Sequence, residues 1–323
     1  MLKVAIDTSP LMQTRAGTAR HVRGLLGALR ARPGVDLELL SFGGAGRFSS
    51  VVRDALWYPI GLGRRARAVD VLHCTTFRGP AGGRVPTVLT VHDLAILRFP
   101  EVFPRWHRLY GRTGLSRVLR AADAIVAVSE FTKSETGELV GVPMERIRVV
   151  PNGVDPAFVA DGPRADGDYV LAVATLEPRK NLSRVVEAAD VAGVALRVVG
   201  ARGWGGVEVP GWVGEVPDAQ LAALYRGARC VLYPSLYEGF GLPVLEAMAC
   251  GAPVVTSRGG STEEVAGGAA ILVDPLEVDS IADGIHQAAS RRDELVPLGL
   301  ARARTFAWEH AADSIVELWR ELT

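Results

Sequence analysis

Two glutamates and three glycines lie close together in residues 234–253. An apolar run at 230–233 precedes this segment, and Pro243 and Gly251 are typical of the first turn and the end of a helix. The pattern predicts a strand, a glycine-containing loop and a helix. Glycines let backbone N–H groups approach an oxygen closely, and a helix N-terminus favours negative charge, so the loop is predicted to bind phosphate. The residues of this loop that are predicted to bind the ligand are Gly239, Phe240, Gly241 and Leu242.

The two glutamates, Glu238 and Glu246, flank the start of this helix. A carboxylate beside a phosphate is repelled by it, but it is well suited to accept hydrogen bonds from neighbouring hydroxyls. The pair therefore indicates contacts with sugar or ribose hydroxyls. In the alternative interpretation, Glu246 is a helix-start carboxylate and Glu238 a surface charge. The glycines and Pro243 favour the functional interpretation.

Two cations, Arg179 and Lys180, follow the first predicted strand of the second half, and Asn181 is a candidate N-cap for a helix that begins at Leu182. Cations at a helix N-terminus oppose the helix dipole. Their position therefore favours a bound anion, such as a diphosphate, over a solvated basic turn.

His92 ends a strand-like run at 85–91. A lone histidine is most often a structural residue, and the residues by themselves favour that interpretation. Asp93 is expected to cap or orient its neighbours rather than to act as a catalyst.

The spacing of the two glutamates resembles the mark of the retaining glycosyltransferase family four, two glutamates separated by seven residues. Further segments resemble the family in the same order, and together they cover nearly the whole chain. These segments are 91–93, 128–132, 151–155, 176–182 and 257–264. The resemblance implies an α/β GT-B fold, in which two Rossmann-like parallel-sheet domains face a cleft. It also implies that the first domain binds mainly the acceptor and the second mainly the nucleotide sugar.

The resemblance gives roles to single residues. In the family the first glutamate contacts the donor sugar and the second the ribose hydroxyls, which places these roles on Glu238 and Glu246. A family histidine at the position of His92 contacts the sugar near the reacting carbon, so the resemblance makes Glu238 and His92 the catalytic residues. Lys180, with Arg179, would stabilise the leaving diphosphate in place of a metal ion.

Two further positions complete the donor site that the resemblance implies. Gly17 lies in a turn, 13–19, that in the family approaches the donor phosphate, although Ala19 replaces a second glycine. Thr175 stands where some members carry a further arginine. No metal and no cofactor are expected, and the nucleoside-diphosphate sugar is a co-substrate.

Predicted strands must position these residues. In the first half they are 2–6, 37–40, 69–73, 85–91, 124–128 and 147–150, and in the second half 169–174, 196–199, 230–233, 254–256 and 270–273. Helices are predicted at 20–29, 182–193, 218–226, 243–250, 277–288 and 308–322. Strands without polar alternation, separated by helices, indicate parallel sheets covered on both faces.

We therefore expect an acceptor-binding domain at 1–160, a nucleotide-sugar-binding domain at 161–304, and a helix at 305–323 that packs back toward the first domain. The chain has 323 residues, enough for two domains. Residues 1–155 carry 22 Lys or Arg and 13 Asp or Glu, a net charge of +9, and the remainder carries −9. A basic half suggests an acidic partner, and two domains attracting each other explain the charges equally well.

Three cysteines with neither pairing nor metal-ligand spacing favour a reducing cytoplasm, and no secretory leader is visible. A predicted helix at 104–120 has basic and aromatic faces, which occur in helices that lie on membranes. Packing of the aromatics into the domain is the slightly favoured alternative. A membrane contact through this helix would place the protein at the inner face of the membrane. If the helix is interfacial, the acceptor is expected to be lipid-linked.

The leading hypothesis is transfer of a hexosyl group, mannosyl or glucosyl first, to a carbohydrate or lipid-linked acceptor with retention of configuration. No nucleic acid is expected as a partner. A nucleotide-dependent oxidoreductase is disfavoured, because the first strand-to-helix turns lack a G-x-G-x-x-G pattern. A nucleotide-binding protein of this fold without transferase activity remains the alternative.

Overall fold

The computed structural model of the protein describes residues 1–13, 17–44, 46–103, 111–203 and 208–323. The chain divides into two compact units. The first comprises Met1–Gly153 and Ala307–Thr323, and the second Val154–Phe306. The first unit thus ends at Gly153, where the sequence led us to expect 160.

The first unit is built on a parallel sheet with strand order β2-β1-β3-β4-β5-β6. Its strands are β1 Leu2–Asp7, β2 Val35–Leu40, β3 Val71–Cys74, β4 Thr87–Val91, β5 Ala124–Ala127 and β6 Ile147–Val149. Its helices are α1 Gly17–Leu29, α2 Arg47–Val52, α3 Leu62–Arg65, α4 Ala95–Arg98, α5 Ser116–Ala121 and α6 Glu130–Val140. Arg53–Gly61, which joins α2 to α3, and Gly111–Leu115 are π-helical.

Both faces of this sheet are covered, because successive side chains of each strand enter different cores. Val4 and Ile6 of β1 pack in one hydrophobic cluster with α1, whereas Ala5 packs in another with Tyr58 and Leu62. Uninterrupted apolar strands are what a sheet buried on both faces requires.

The second unit holds another parallel sheet, with strand order β12-β11-β10-β7-β8-β9. Its strands are β7 Tyr169–Val173, β8 Ala195–Val199, β9 Trp212–Gly214, β10 Val231–Tyr233, β11 Val254–Ser257 and β12 Ile271–Val273. Its helices are α7 Leu182–Val191, α8 Asp218–Gly227, α9 Leu242–Ala249, α10 Gly260–Ala266, α11 Val278–Ser290 and α12 Arg292–Ala303.

The predicted α/β class with two parallel sheets is confirmed, and the predicted strands lie within about two residues of the observed ones at most ends. Three differences stand out. The short, largely exposed strand β9 was not predicted, α1 begins at Gly17 rather than at Arg20, and the predicted helix at 104–120 falls partly outside the described residues. In its described part, Leu115 and Leu119 are fully buried.

The last helix, α13 (Trp308–Glu321), belongs to the first unit. It packs on α1, and Trp308 and Trp319 are both buried. At the C-terminal end of α13, the Glu321 carboxylate lies 2.7 Å from the Arg148 guanidinium, and this ion pair fixes that end of the helix. None of the described helices is long and apolar enough to span a membrane.

Gly24 and Gly27 provide a matched test of this packing, because both lie in α1. A Cβ atom on Gly24 would clash with the indole ring of Trp308, whereas nothing lies within 4 Å of a Cβ on Gly27. We expect Gly24→Ala to lower the free energy of unfolding by about 1–3 kcal/mol through overpacking. Gly27→Ala should leave it unchanged or raise it by up to about 1 kcal/mol, because alanine favours the helix. Urea denaturation measures both, and equal effects would contradict this account of the helix contact.

Candidate active site

The strand order of the second sheet reverses between β7 and β10, which are parallel neighbours in the sheet. From β7 the chain continues outward through β8 and β9, and from β10 it continues the other way through β11 and β12. Parallel α/β sheets bind ligands at such a point, outside the carboxyl ends of the strands. The loops that leave it, 174–181 and 234–241, are those that carry the cations and the first glutamate predicted from the sequence.

Asn181 ties these loops together. Its side-chain amide donates to the Pro234 carbonyl at 3.0 Å and to the Pro275 carbonyl at 2.6 Å. The residue has a left-handed backbone (φ 61°), and its side chain makes no capping hydrogen bond to α7. Asn181 therefore occupies the predicted N-cap position of α7 without making a side-chain cap. Its amide instead links loops that are distant in sequence.

The glycine-containing loop adopts the strand, loop and helix arrangement that the sequence predicts. Gly241 precedes α9 with φ 105°, a conformation that side chains rarely adopt, and a Cβ there would lie 3.0 Å from Thr262 Cγ2. The Ser261 hydroxyl donates to the Glu238 carbonyl at 2.8 Å, and Phe240 packs edge-to-face against Phe306. The backbone is thus fixed on both sides of the loop.

Lys180, Arg179 and Glu238 form a buried ion cluster. Lys180 Nζ lies 2.5 Å from Glu238 Oε1, and Arg179 donates to Glu238 Oε2 at 3.2 Å. The Tyr233 hydroxyl also donates to Oε1, at 2.9 Å, and Arg179 Nε pairs with Glu177 at 2.9 Å. The side chains of Lys180 and Glu238 are only 10% and 9% exposed. Both glutamate oxygens therefore meet positive charge in a nearly water-free place.

The charge state of Glu238 follows from this cluster. Burial by itself would raise the pKa of the carboxyl, but the charges of Lys180 and Arg179 lower it to about 2. Glu238 is therefore ionised at neutral pH and holds no proton that it could give to a leaving group. It can accept hydrogen bonds and stabilise positive charge.

Glu246 lies one turn into α9 in different surroundings. It is buried (4% exposed), and Oε2 accepts a hydrogen bond from the Tyr225 hydroxyl of α8 at 3.0 Å. The tyrosine fixes the direction of the carboxylate. Of the other donor-site predictions, Thr175 is half-buried after β7, Gly239 follows Glu238 in the loop, and Leu242 is the first residue of α9. Gly17 is exposed at the start of α1, in the first unit.

His92 lies at the carboxyl end of β4 in the first unit. Its Nε2 contacts the Thr75 carbonyl oxygen at 2.9 Å, and because a carbonyl only accepts, Nε2 carries the proton. Burial lowers the pKa of His92. The ring is thus neutral, and its Nδ1 can accept a hydrogen bond. Asp93 accepts from the Ala95 amide at 3.1 Å, which agrees with its expected capping role.

Two residues that contact the predicted site residues were not predicted from the sequence, His21 beside His92 and Tyr233 beside Glu238. His21 of α1 is buried, contacts the His92 ring edge-to-face at a centroid distance of 4.6 Å, and lies 2.7 Å from the Asn152 amide oxygen. Burial holds the pKa of His21 well below its ordinary value. Its only signal in the sequence was a polar residue on the apolar face of α1. Tyr233, in turn, was predicted only as the end of a strand.

No group of three or more His, Cys, Asp and Glu side chains that could hold a metal ion occurs in the described ranges. Cys74, Cys230 and Cys250 are separate, free and buried.

Comparisons with known proteins agree with the fold and identify the family. The family model described as Glycosyl transferases group 1 matches residues 157–298, and that described as Glycosyltransferase Family 4 matches residues 15–158. The O-antigen chain mannosyltransferase B of Escherichia coli is 34% identical over 267 residues, covering 73% of this chain and 70% of that protein.

Solved structures resemble the whole chain. Sucrose-phosphate synthase from Thermosynechococcus elongatus superposes with a TM-score of 0.79 at 20% identity, covering 100% of this chain and 99% of that one. HepE from Anabaena, solved with UDP and glucose, superposes with a TM-score of 0.71 at 18% identity, covering 99% and 100%.

The two parallel-sheet units and these superpositions show the GT-B fold. The chain belongs to the group 1 glycosyltransferases, family 4.

The Lys180–Glu238 pair can be tested by a double-mutant cycle on the free energy of unfolding. Lys180→Met leaves a buried carboxylate without its nearest cation and should cost about 3–5 kcal/mol. The double variant Lys180→Met/Glu238→Gln should cost less than the sum of the single variants, by on the order of 1–3 kcal/mol.

The exposed Arg291–Glu294 pair is the control, since its atoms also approach to 2.7 Å but its side chains are 47% and 54% exposed. The same cycle with Arg291→Met and Glu294→Gln should show no measurable coupling, because water screens the charges. Strictly additive costs at Lys180 and Glu238 would contradict the ion pair.

Proposed function

We propose that the protein transfers a hexosyl group from a nucleoside-diphosphate sugar to an acceptor hydroxyl, with retention of the anomeric configuration and without a metal ion. The observation that supports this proposal is the cluster of Arg179, Lys180 and Glu238, which lies where the strand order of the second sheet reverses. It combines two cations suited to a diphosphate with an ionised carboxylate suited to hydroxyls.

The donor would bind by an exchange of partners. In the structure, the charges of Lys180 and Arg179 are paired with Glu238 and Glu177. A diphosphate would attract the two cations, and Glu238 would then accept hydrogen bonds from sugar hydroxyls. A buried charge is costly without a partner, so each group must find a new partner as it leaves the old one.

Bond breaking would follow the family precedent. The bond between the sugar anomeric carbon and the diphosphate oxygen breaks on the same face on which the acceptor oxygen forms its bond. The acceptor proton passes to the leaving phosphate oxygen. Lys180, Arg179 and the amides around Gly241 would stabilise the charge that develops on the diphosphate, the kind of stabilisation that contributes most in such sites. Glu238, ionised throughout, would position the sugar.

The remaining roles are predictions. Glu246, oriented by Tyr225, would bind the ribose hydroxyls, with Thr175, Gly239, Phe240 and Leu242 lining the donor site. His92, in the first unit, would contact the donor sugar through its neutral ring, and Gly17 would approach the donor phosphate. The mannosyltransferase relative and the neighbour solved with UDP and glucose support a mannosyl or glucosyl donor. The acceptor would be a carbohydrate or a lipid-linked sugar.

Replacing Glu238 by glutamine tests its role, since the shape is kept and the negative charge is lost. We expect transfer to fall by on the order of 100-fold or more, because the charge acts on the reacting sugar. The assay is transfer and donor hydrolysis with a panel of UDP-, GDP- and ADP-sugars, glucosyl and mannosyl first. Glu187→Gln, an exposed position of α7, is the control and should keep full activity. Undiminished transfer by Glu238→Gln would sink the assignment.

Nucleotide binding is tested separately by thermal shift. One of UDP, GDP or ADP should raise the melting temperature of the wild-type protein. Glu246→Gln should weaken its affinity about tenfold, the worth of one hydrogen bond to a charged group. Stabilisation by a nucleotide without turnover of any donor would favour the binding protein without transferase activity. No stabilisation by any nucleotide would contradict both.

A further inference from the structure

The helical stretch from α2 to α3 in the first unit has two faces of different character. Arg53, Tyr58 and Leu62 point into the unit and are 0–3% exposed. Val51, Leu56 and Ile60 alternate with them and are 63%, 56% and 44% exposed. Their spacings of five and four residues are about one turn of a π-helix, whose hydrogen bonds join residues five apart. The three exposed aliphatic side chains therefore follow one stripe along the surface.

Such a stripe differs from ordinary surface composition. Single exposed apolar residues are normal, but neighbouring ones on one element mark a contact surface. In the second unit, by contrast, Val191, Leu276 and Leu298 are similarly exposed but lie on separate elements.

Basic residues continue this stripe. Arg64 and Arg65 end α3, Arg67 follows, and all three are exposed. The sole acidic residue in 47–68 is Asp54, and its carboxylate lies 3.2 Å from the Arg78 guanidinium. The surface formed by Val51, Leu56, Ile60, Arg64 and Arg65, here called the apolar-basic face, thus presents aliphatic side chains and positive charge that no carboxylate of the stretch offsets.

The composition of this face decides between partners. An aliphatic stripe joined to arginines is the pattern of helices that lie in the interface of an anionic bilayer. A second copy of the chain would be a poorer partner, because a twofold contact offers the same residues from both sides. Those residues include no carboxylate that could neutralise the arginines.

We propose that the apolar-basic face docks the protein on the surface of an anionic lipid bilayer. Val51, Leu56 and Ile60 enter the boundary between headgroups and acyl chains, while Arg64 and Arg65 contact the lipid phosphates. None of the residues of this face belongs to the segment 104–120, which we considered from the sequence.

The inner face of the same stretch connects the docking surface to the region where the acceptor is expected. This step rests on the proposed function. Tyr58 accepts a hydrogen bond from the Gln13 amide at 3.1 Å, and Gln13 follows β1 at the carboxyl edge of the first sheet. The Arg78 guanidinium, in the loop after β3, lies 5.9 Å from the Tyr58 ring centroid. One helical stretch therefore joins the docking surface to the sheet edge where the acceptor is expected. A lipid-linked acceptor could stay in the bilayer while its sugar reaches that edge.

The test is sedimentation of the full chain with vesicles of phosphatidylcholine alone or mixed with phosphatidylglycerol. The wild-type protein should bind the mixed vesicles, and binding should fall as salt rises. Val51→Ser/Leu56→Ser/Ile60→Ser should lose binding at least about tenfold through lost apolar burial. Arg64→Gln/Arg65→Gln should lose it by on the order of tenfold, because each basic residue near an anionic surface contributes several-fold.

Matched controls keep the test specific. Val191→Ser/Leu276→Ser/Leu298→Ser removes equally exposed aliphatic side chains from the second unit, and Arg23→Gln/Arg30→Gln removes two exposed charges at α1, on the other face of the first sheet. Both should bind vesicles as the wild type does. Each variant is checked for an unchanged melting temperature and nucleotide shift, so that misfolding is recognised.

Three results would overturn the proposal: no binding of the wild-type chain to anionic vesicles, full binding by both face variants, or a wild-type dimer that the aliphatic variant dissociates. Vesicle binding requires neither donor nor acceptor. A failure of the proposed transfer reaction would therefore leave the vesicle result standing, and the reverse also holds.

Discussion

The second unit depends on one electrostatic constraint, which is that Glu238 must stay ionised where little water can reach it. Lys180 and Arg179 meet this need, and they arrive from a different loop, after β7. The same contact joins the loop after β7 to the loop after β10, where the strand order reverses. Asn181 also joins them, and the Leu236 amide donates to the Arg179 carbonyl at 2.8 Å. The structure and the proposed chemistry thus depend on the same charges, because the groups that would exchange partners when the donor binds also hold the two loops together.

Much of the fold could be predicted because its signals are local. Buried parallel strands such as β4 and β5 are short, apolar and free of polar alternation, so they can be recognised one by one. The loop before α9 is equally local, since Gly241 supplies a backbone conformation and Pro243 a helix start within three residues. The glutamates could be chosen as site residues for the same reason.

The partners of those residues could not be predicted, because they depend on strand order. Lys180 meets Glu238 and Tyr233 only because β10 lies beside β7, and no local pattern encodes that neighbour. Asn181 shows the same limit. Its type fits a helix cap and it stands at the N-cap of α7, but its side-chain NH2 donates to two distant carbonyls and its Oδ1 accepts from Arg184. The helical stretch from α2 to α3 was not predicted, because its apolar and polar positions follow a π-helical spacing rather than a period of 3.6 residues.

Charge shows why net sums are poor guides to a site. The half of the chain with a net charge of −9 holds Arg179 and Lys180, the cations proposed for the diphosphate, whereas the half with +9 places neutral histidines at its sheet edge. Burial explains the difference. A buried site selects each charge by its immediate partners, as at Glu238, while net charge counts mainly exposed groups that water screens. The surplus of positive charge in the first half therefore describes its surface, and the apolar-basic face is one part of that surface where positive charge adjoins apolar side chains.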